Sequence, residues 1–207
     1  MNKMEGSAHN IGIIILAAGA SSRLGEPKQL LPYHEAPLLQ HTINEANAIS
    51  SFSSILVLGA NAAEIKKAID PKNFKIIFNN EWQKGMGSSL SIAMKEAASN
   101  HSLEHILILL SDQPLVNTDY FNKLIKAHIT SHKSITASFY NNIAGVPAIF
   151  SKDHFNDLKK LQGDKGARQI IKNTPPQLVE FDQGQIDIDT PEDWVNFNSL
   201  KKKNPSP

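Results

Sequence analysis

The chain has 207 residues, 41% hydrophobic and 20% charged, enough to bury one sizeable core and a squeeze for two. A formal net charge of +1 gives no field to draw in nucleic acid, and the lack of cysteine removes disulfides, thiolate-held zinc and thiol catalysis. No apolar run approaches the roughly 20 residues that span a bilayer, so neither nucleic acid nor a membrane is an expected partner, and a cytoplasmic protein is the expectation.

Met1 to Asn10 is polar, and the apolar run behind it is too short and too directly joined to a loop to resemble a secretion signal. Gly12 to Leu16 is predicted as a buried strand. It feeds a loop of small residues, Ala17-Ala18-Gly19-Ala20-Ser21-Ser22, that carries Arg23 and leads to Lys28. Backbone N–H groups there are little hindered by side chains, which suits a polyphosphate. Arg23 can grip phosphate oxygens as a planar fork, and Lys28 serves as a mobile point charge. The same composition also suits a tight turn with a solvated arginine. Neither GxxxxGK[ST] nor GxGxxG is present.

Downstream, Pro37 to Ala48 is predicted as a helix and Ser54 to Leu58 as a strand. Asn61 to Ile69 is predicted as a helix with Asn61 as its N-cap, and Phe74 to Phe78 as a strand. Leu90, Ala93, Met94 and Ala97 recur at helical spacing, predicting a helix over Ser88 to Ala98. Ser88 and Ser89 can cap it or aim N–H groups at a ligand. Trp82, just before, can stack on a ring or fill the core. His105 to Leu110 is a continuous apolar strand ending at Ser111-Asp112, where a carboxylate can hold a cation or cap a turn. Asn117 to His132 then reads as helix and Ser134 to Ser138 as strand. Val146 to Phe150 follows as a strand, Ser151 to Leu161 and Gly166 to Asn173 as helices, and Leu178 to Phe181 as a strand. Pro191 to Leu200 closes as a helix before a frayed tail over residues 201–207.

Alternating strands and helices predict right-handed crossovers and a mostly parallel sheet with the two fully apolar strands at its centre. Ligands in such sheets sit beyond the carboxyl ends of the strands, where the Ala17 to Lys28 loop and Asp112 both fall. In Asp187-Ile188-Asp189-Thr190-Pro191-Glu192-Asp193 the two leading aspartates share one face of an extended segment, as a metal arm would need, though Asp189 can equally cap the following helix. Only two of the 21 basic residues are arginines, Arg23 and Arg168, and both stand in Gly-rich segments. Arg168 and Lys165 can hold an acceptor phosphate or stand as exposed cations. The eight histidines form no motif, and His101, His105, His128 and His132 are expected at surfaces or element ends.

Taken in order, Leu16 to Gly25 with Lys28, Gly85-Met86-Gly87-Ser88-Ser89-Leu90, Leu110-Ser111-Asp112-Gln113-Pro114, Gly145-Val146-Pro147 with Phe150, Gly163 to Arg168, and Asp187 to Asp193 resemble the MobA-like NTP transferase family. Within it the chain is most similar to the molybdenum cofactor cytidylyltransferases. The resemblance implies a Rossmann-like three-layer α/β/α sandwich with a mostly parallel sheet, of the nucleotide-diphospho-sugar transferase type, formed by one nucleotidyltransferase domain over residues 1–200. It implies transfer of CMP from CTP to the phosphate of molybdopterin or molybdenum cofactor, with release of pyrophosphate and a molybdoenzyme or its chaperone as recipient. Nucleotide would be bound by Leu16, Ala17, Ala18, Gly19, Ser21, Ser22, Arg23, Lys28, Gly85, Ser88, Ser89 and Asp112, with Arg23, Lys28 and Asp112 in the chemistry. Magnesium would sit on Asp112 and Asp189, with Asp187 the alternative, and the acceptor on Gly145, Pro147, Lys165 and Arg168. Val146 stands where many relatives carry His and Ala93 where they carry Gly, both expected on the acceptor side. A sugar phosphate acceptor, a non-catalytic cofactor carrier and an oxidoreductase are the alternative functions. The last lacks its GxGxxG.

Overall fold

The computed structural model describes residues 10–184 and 186–203; the polar stretch up to residue 9 and the tail from residue 204 lie outside the described residues. The first strand, β1 (Ile11–Ala17), is flanked by β4 (Ser53–Leu58) and β6 (His105–Leu110), both parallel to it. Every residue of β1 is buried, as its unbroken apolar run requires of a strand covered on both faces. A short hairpin, β2 (Pro32–Tyr33) and β3 (Ala36–Pro37), and helix α1 (Leu38–Asn47) connect β1 to β4. Helix α2 (Ala62–Ala68) leads to β5 (Lys75–Phe78), parallel to β4, and α3 (Met86–Ala97) leads on to β6.

Beyond β6 the regular alternation ends. Helix α4 (Thr118–Ser131) is followed by the hairpin β7 (Ile135–Tyr140) and β8 (Ile143–Ser151), and β8 runs antiparallel to both β6 and β7. Short helices α5 (Phe155–Lys159) and α6 (Arg168–Asn173) precede β9 (Gln177–Glu180), which returns parallel to β7, and α7 (Pro191–Lys203) closes the fold. The seven-stranded sheet has the order β5-β4-β1-β6-β8-β7-β9, with the two apolar strands β1 and β6 inside it.

Alternation along β1 divides the core. Ile13, Ile15 and Ala17 pack with Leu39 and Ile43 of α1, Ile65 of α2 and Phe121 and Leu124 of α4, whereas Ile14 and Leu16 pack with Leu90 and Met94 of α3, Leu158 of α5 and Ile170 of α6. Helices therefore cover both faces, giving the expected three layers. A third cluster joins Leu24, Leu31, Tyr33, Ile188 and Phe197, binding α7 to the loop after β1. Among the described residues no helix is long and apolar enough to cross a membrane.

Several local expectations differ from the structure. Asn61 precedes α2 in the left-handed region, φ 54°, and its side chain makes no capping bond. Asn117 does cap α4, accepting from the Tyr120 N–H at 2.9 Å. The segment after β8 forms a 3₁₀ turn and a five-residue helix rather than one helix from Ser151 to Leu161. Helix α7 continues through Lys203, past the point where the tail is expected. Ala93 of α3 is fully buried in the core rather than set at a ligand cavity. His128 also sits in the core, 3% exposed, with Nδ1 2.9 Å from Thr136 Oγ1 and Nε2 3.0 Å from His105 Nδ1.

Candidate functional site

The loop after β1 is shaped by its own side chains. Ser21, at φ 54°, accepts the N–H groups of Leu24 and Gly25 on its carbonyl and that of Lys28 on its Oγ, at 3.0, 3.1 and 3.1 Å. From beneath, Gln29, 1% exposed, donates to the carbonyls of Ala17 and Gly19 at 3.1 Å each. Gln29 was invisible to motif reasoning, because a lone glutamine beyond the loop carries no signal until the chain folds back. The result is a fixed strap whose next cation, Lys28, points across the carboxyl ends of β1 and β6.

There Lys28 Nζ donates to Asp112 Oδ2 at 2.6 Å and to Asp189 Oδ1 at 2.7 Å, while Arg23 donates to Asp189 Oδ2 at 2.9 Å. The Lys28 and Asp112 side chains are only 14% and 16% exposed, against 38% for Asp189 and 71% for Arg23. Burial alone lowers the Lys28 pKa, but Asp112 and then Asp189 more than offset it and raise it above the ordinary lysine value. Asp189 is held below the ordinary carboxylate range despite its partial burial, by Lys28 and then Arg23. Asp112 Oδ1 is buried and has no hydrogen-bond partner among the described residues. A buried carboxylate oxygen with a free lone pair beside a second carboxylate fits a divalent cation that takes its other ligands from phosphate and water. The described residues hold no group of three His, Cys, Asp or Glu that would enclose an ion by themselves.

The two carboxylate segments are tied directly, since the Ile188 N–H donates to the Asp112 carbonyl at 3.1 Å and Ile188 itself is fully buried. Thr190, not Asp189, caps α7. Thr190 Oγ1 accepts the Asp193 N–H at 3.2 Å and Asp193 Oδ2 accepts the Thr190 N–H at 2.8 Å, a reciprocal capping box that leaves Asp189 to the cations.

A cleft of about 450 Å³ opens over these groups. Leu16 to Gly19, Ser21, Ser22, Arg23, Lys28, Gly85, Ser89, Asp112 and Asp189 line it, joined by Trp82, which also packs partly into the core. Ser88 does not line it. Its hydroxyl donates to the Gly85 carbonyl at 2.8 Å and accepts from Asn79 at 2.9 Å, facing away from the cleft. Neither Ser88 nor Ser89 caps α3, whose N-cap is Gly85.

A second cavity of about 430 Å³ adjoins the first, sharing Leu16, Met86, Leu110 and Asp164. Its walls are largely apolar, with Leu90, Ile108, Ile143 and Val146, and its polar groups are Tyr140, Asn141, Asp164, Arg168 and Asp187. Gly145 and Arg168 line it, but the buried Pro147 and the exposed Lys165 do not. Asp187 faces this cavity rather than the Lys28 cluster. Crowding by protein, then the negative charges of Asp112 and Asp189, push its carboxyl up to about 7 although it keeps contact with solvent. The segments Gly85 to Leu90 and Gly163 to Arg168 meet at backbone level. Gly87 N–H donates to the Gly163 carbonyl at 2.8 Å, and a Cβ on Gly85, at φ 94°, would lie 2.5 Å from that carbonyl.

An α/β sheet with a small-residue loop, two cations and two carboxylates at the carboxyl ends of its central strands, beside a second cavity, defines a nucleotidyltransferase. The chain belongs to the MobA-like NTP transferase domain family, which matches residues 13–180. It is 28% identical to the molybdenum cofactor cytidylyltransferase of Escherichia coli K12, covering 89% of this chain and 94% of that one. Purine catabolism protein PucB of Bacillus subtilis is 30% identical over 91% and 95% of the two chains, and nicotine blue oxidoreductase of Paenarthrobacter nicotinovorans 29% over 78% and 81%. Among solved structures, an Rv0371c homologue from Mycobacterium sp. strain JC1 superposes with a TM-score of 0.81 at 28% identity, covering 94% and 98%. Rv0371c of Mycobacterium tuberculosis H37Rv in complex with manganese gives 0.76 at 27% identity, covering 90% and 97%.

Proposed function

We propose that the chain, acting as one nucleotidyltransferase domain over residues 1–200 in the cytoplasm, transfers CMP from CTP to the phosphate of molybdopterin or molybdenum cofactor with magnesium. The observation that carries this reading is the Lys28 ammonium set between Asp112 and Asp189, with Arg23 on the outer oxygen. That is a charge arrangement suited to a metal and a triphosphate, and an apolar cavity with a single arginine opens beside it.

An oxygen of the acceptor phosphate attacks the α-phosphorus, the bond from that phosphorus to the bridging oxygen breaks, and pyrophosphate leaves with the electron pair. Because two anions must approach, the protein's task is positioning and charge neutralisation. Main-chain N–H groups from Ala18 to Ser22 cradle the phosphates, and Arg23 and Lys28 take the charge that grows on the leaving pyrophosphate. Asp112 and Asp189 would hold the magnesium ion, which would supply Lewis-acid polarisation of the α-phosphate. Arg168 orients the acceptor phosphate from the far cavity, where Gly145 leaves room at the wall. A phosphate monoester with a second pKa of about 6 is already mostly ionised at neutral pH, so no proton acceptor is required.

The aliphatic walls at Leu90, Ile108, Ile143 and Val146 favour a planar ring over a polyhydroxylated sugar phosphate. The product would pass to a molybdoenzyme or its chaperone. A non-catalytic carrier would have no use for the Lys28, Asp112 and Asp189 cluster. The test is pyrophosphate release with magnesium, each of the four NTPs in turn, and molybdopterin or molybdenum cofactor, against a control without acceptor. Release with CTP that depends on the acceptor is the expected result. Turnover only with a sugar phosphate, or reduction of a substrate by NAD(P)H without any nucleotide transfer, would overturn it.

A further inference from the structure

We propose that Lys28 guards the metal position, so that the site takes its divalent cation as a complex with the triphosphate and resists the bare ion. The inference rests on the reading of Asp112 and Asp189 as the metal carboxylates. Lys28 Nζ, at 2.6 and 2.7 Å, covers one oxygen of each carboxylate, and Arg23 covers the second oxygen of Asp189 at 2.9 Å. Of the four carboxylate oxygens, Asp112 Oδ1 is the one without a partner among the described residues. Two positive charges therefore already balance two negative ones.

A bare divalent ion can meet the open Asp112 Oδ1, but to reach Asp189 it must displace Lys28 or Arg23, and it then stands within a few ångströms of the ammonium. The Lys28 and Asp112 side chains are 14% and 16% exposed, so water screens that repulsion poorly. A triphosphate changes the balance. It brings several negative charges to the loop that lines the same cleft, giving Arg23 and Lys28 new partners and freeing both carboxylates for the ion that arrives with it. The lysine stem is flexible and its ammonium has no fixed fork, so it can exchange a carboxylate for a phosphate by rotation alone. An arginine at this position would hold its partners more rigidly.

Manganese is a suitable probe, because it binds similar oxygen ligands and its bound state is read by calorimetry and paramagnetic resonance without turnover. Titration of Mn²⁺ into nucleotide-free protein should show weak binding to the wild type, at least about tenfold tighter binding to Lys28→Met, and near-wild-type binding to Lys28→Arg, which keeps the charge. Circular dichroism reports whether each variant is folded. Should Lys28→Met not fold, Lys28→Gln, which also removes the charge, decides by the same comparison: Mn²⁺ binding at least about tenfold tighter than to wild type supports the guard, and equal binding overturns it. Mn²⁺ binding to folded Lys28→Met no tighter than to wild type, with the Mn–nucleotide complex still bound, overturns this inference alone. Failure of the wild type to bind the Mn–nucleotide complex overturns the underlying reading of the site as well.

Discussion

At the scale of single residues the candidate site is a balance of charges held at short range. Asp112 joins a buried ammonium to a free lone pair, so replacing it with asparagine would take a carboxylate from the proposed metal position and leave Lys28 with one carboxylate partner. Asp112→Asn should reduce metal-dependent pyrophosphate release by at least ~100-fold while the thermal unfolding curve stays cooperative; activity unchanged from wild type would remove Asp112 from the metal site. Arg23→Ala should lose a similar factor in kcat/KM for the triphosphate, because a charge-assisted contact of about 1.5–3 kcal/mol strengthens as charge moves to the leaving group. A loss under threefold would make the loop a structural turn. Both residue types were legible as candidates from strand-end position and loop composition. The sequence left Asp187 and Asp189 as alternatives, and the fold separates them: Ile188 is buried between, one aspartate faces the cations and the other the second cavity.

Elements set where those residues stand. Helix α7 carries none of the proposed site residues, yet its Phe197, 2% exposed, packs with Ile188 and Leu24 and so ties the aspartate arm to the loop carrying Arg23. Phe197→Ala should cost about 3 kcal/mol of stability and also raise the KM for the metal–nucleotide complex. A stability loss with an unchanged KM would make the cluster a plain satellite of the core. On the opposite side, α3 is preceded by Gly85 at its N-cap, where φ of 94° and contact with the Gly163 carbonyl both exclude a side chain. Gly85→Ala should push the two glycine loops apart and raise KM for nucleotide and acceptor together, measured by steady-state kinetics in each substrate. Such long-range pairings of short loops leave no trace in local composition, which explains why Ser88 was expected in the cleft and lies outside it.

For the molecule as a whole, acid sensitivity has two opposing sources. Burial, then proximity of His105, lowers the His128 pKa from 6.5 to about 4. The unfolded chain therefore takes up a proton below pH 6.5 that the folded chain refuses until about pH 4, and stability falls as pH drops through that window. The effect amounts to at most about 3 kcal/mol. Asp187 has the reverse sign: its folded pKa of about 7 lies above the ordinary 3.8, so the stability it adds at low pH is lost as pH rises toward 7, and its exposure to solvent reduces the size of the effect. His128→Asn should thus be less stable than wild type at pH 7.5, with the gap narrowing toward pH 4.5 in urea unfolding series. A gap constant with pH would mean that folding leaves the His128 pKa at its unfolded value.

Periodicity and punctuation alone specified the alternating strands and helices, the central place of the two apolar strands, and the ends of those strands as the ligand side. These follow from local rules, since a strand buried on both faces must be apolar throughout and its connections must cross by helices. The motif order likewise pointed to the family. Tertiary structure alone decided the reversal of β8 within the sheet, the burial of His128 and Ala93, the absence of Pro147 and Lys165 from the second cavity, and the assignment of Asp189 rather than Asp187 to Lys28 and Arg23. Each depends on which distant segments meet, and the free energy of those contacts, such as the bond from Ile188 to Asp112, belongs to pairs of positions that no local window contains.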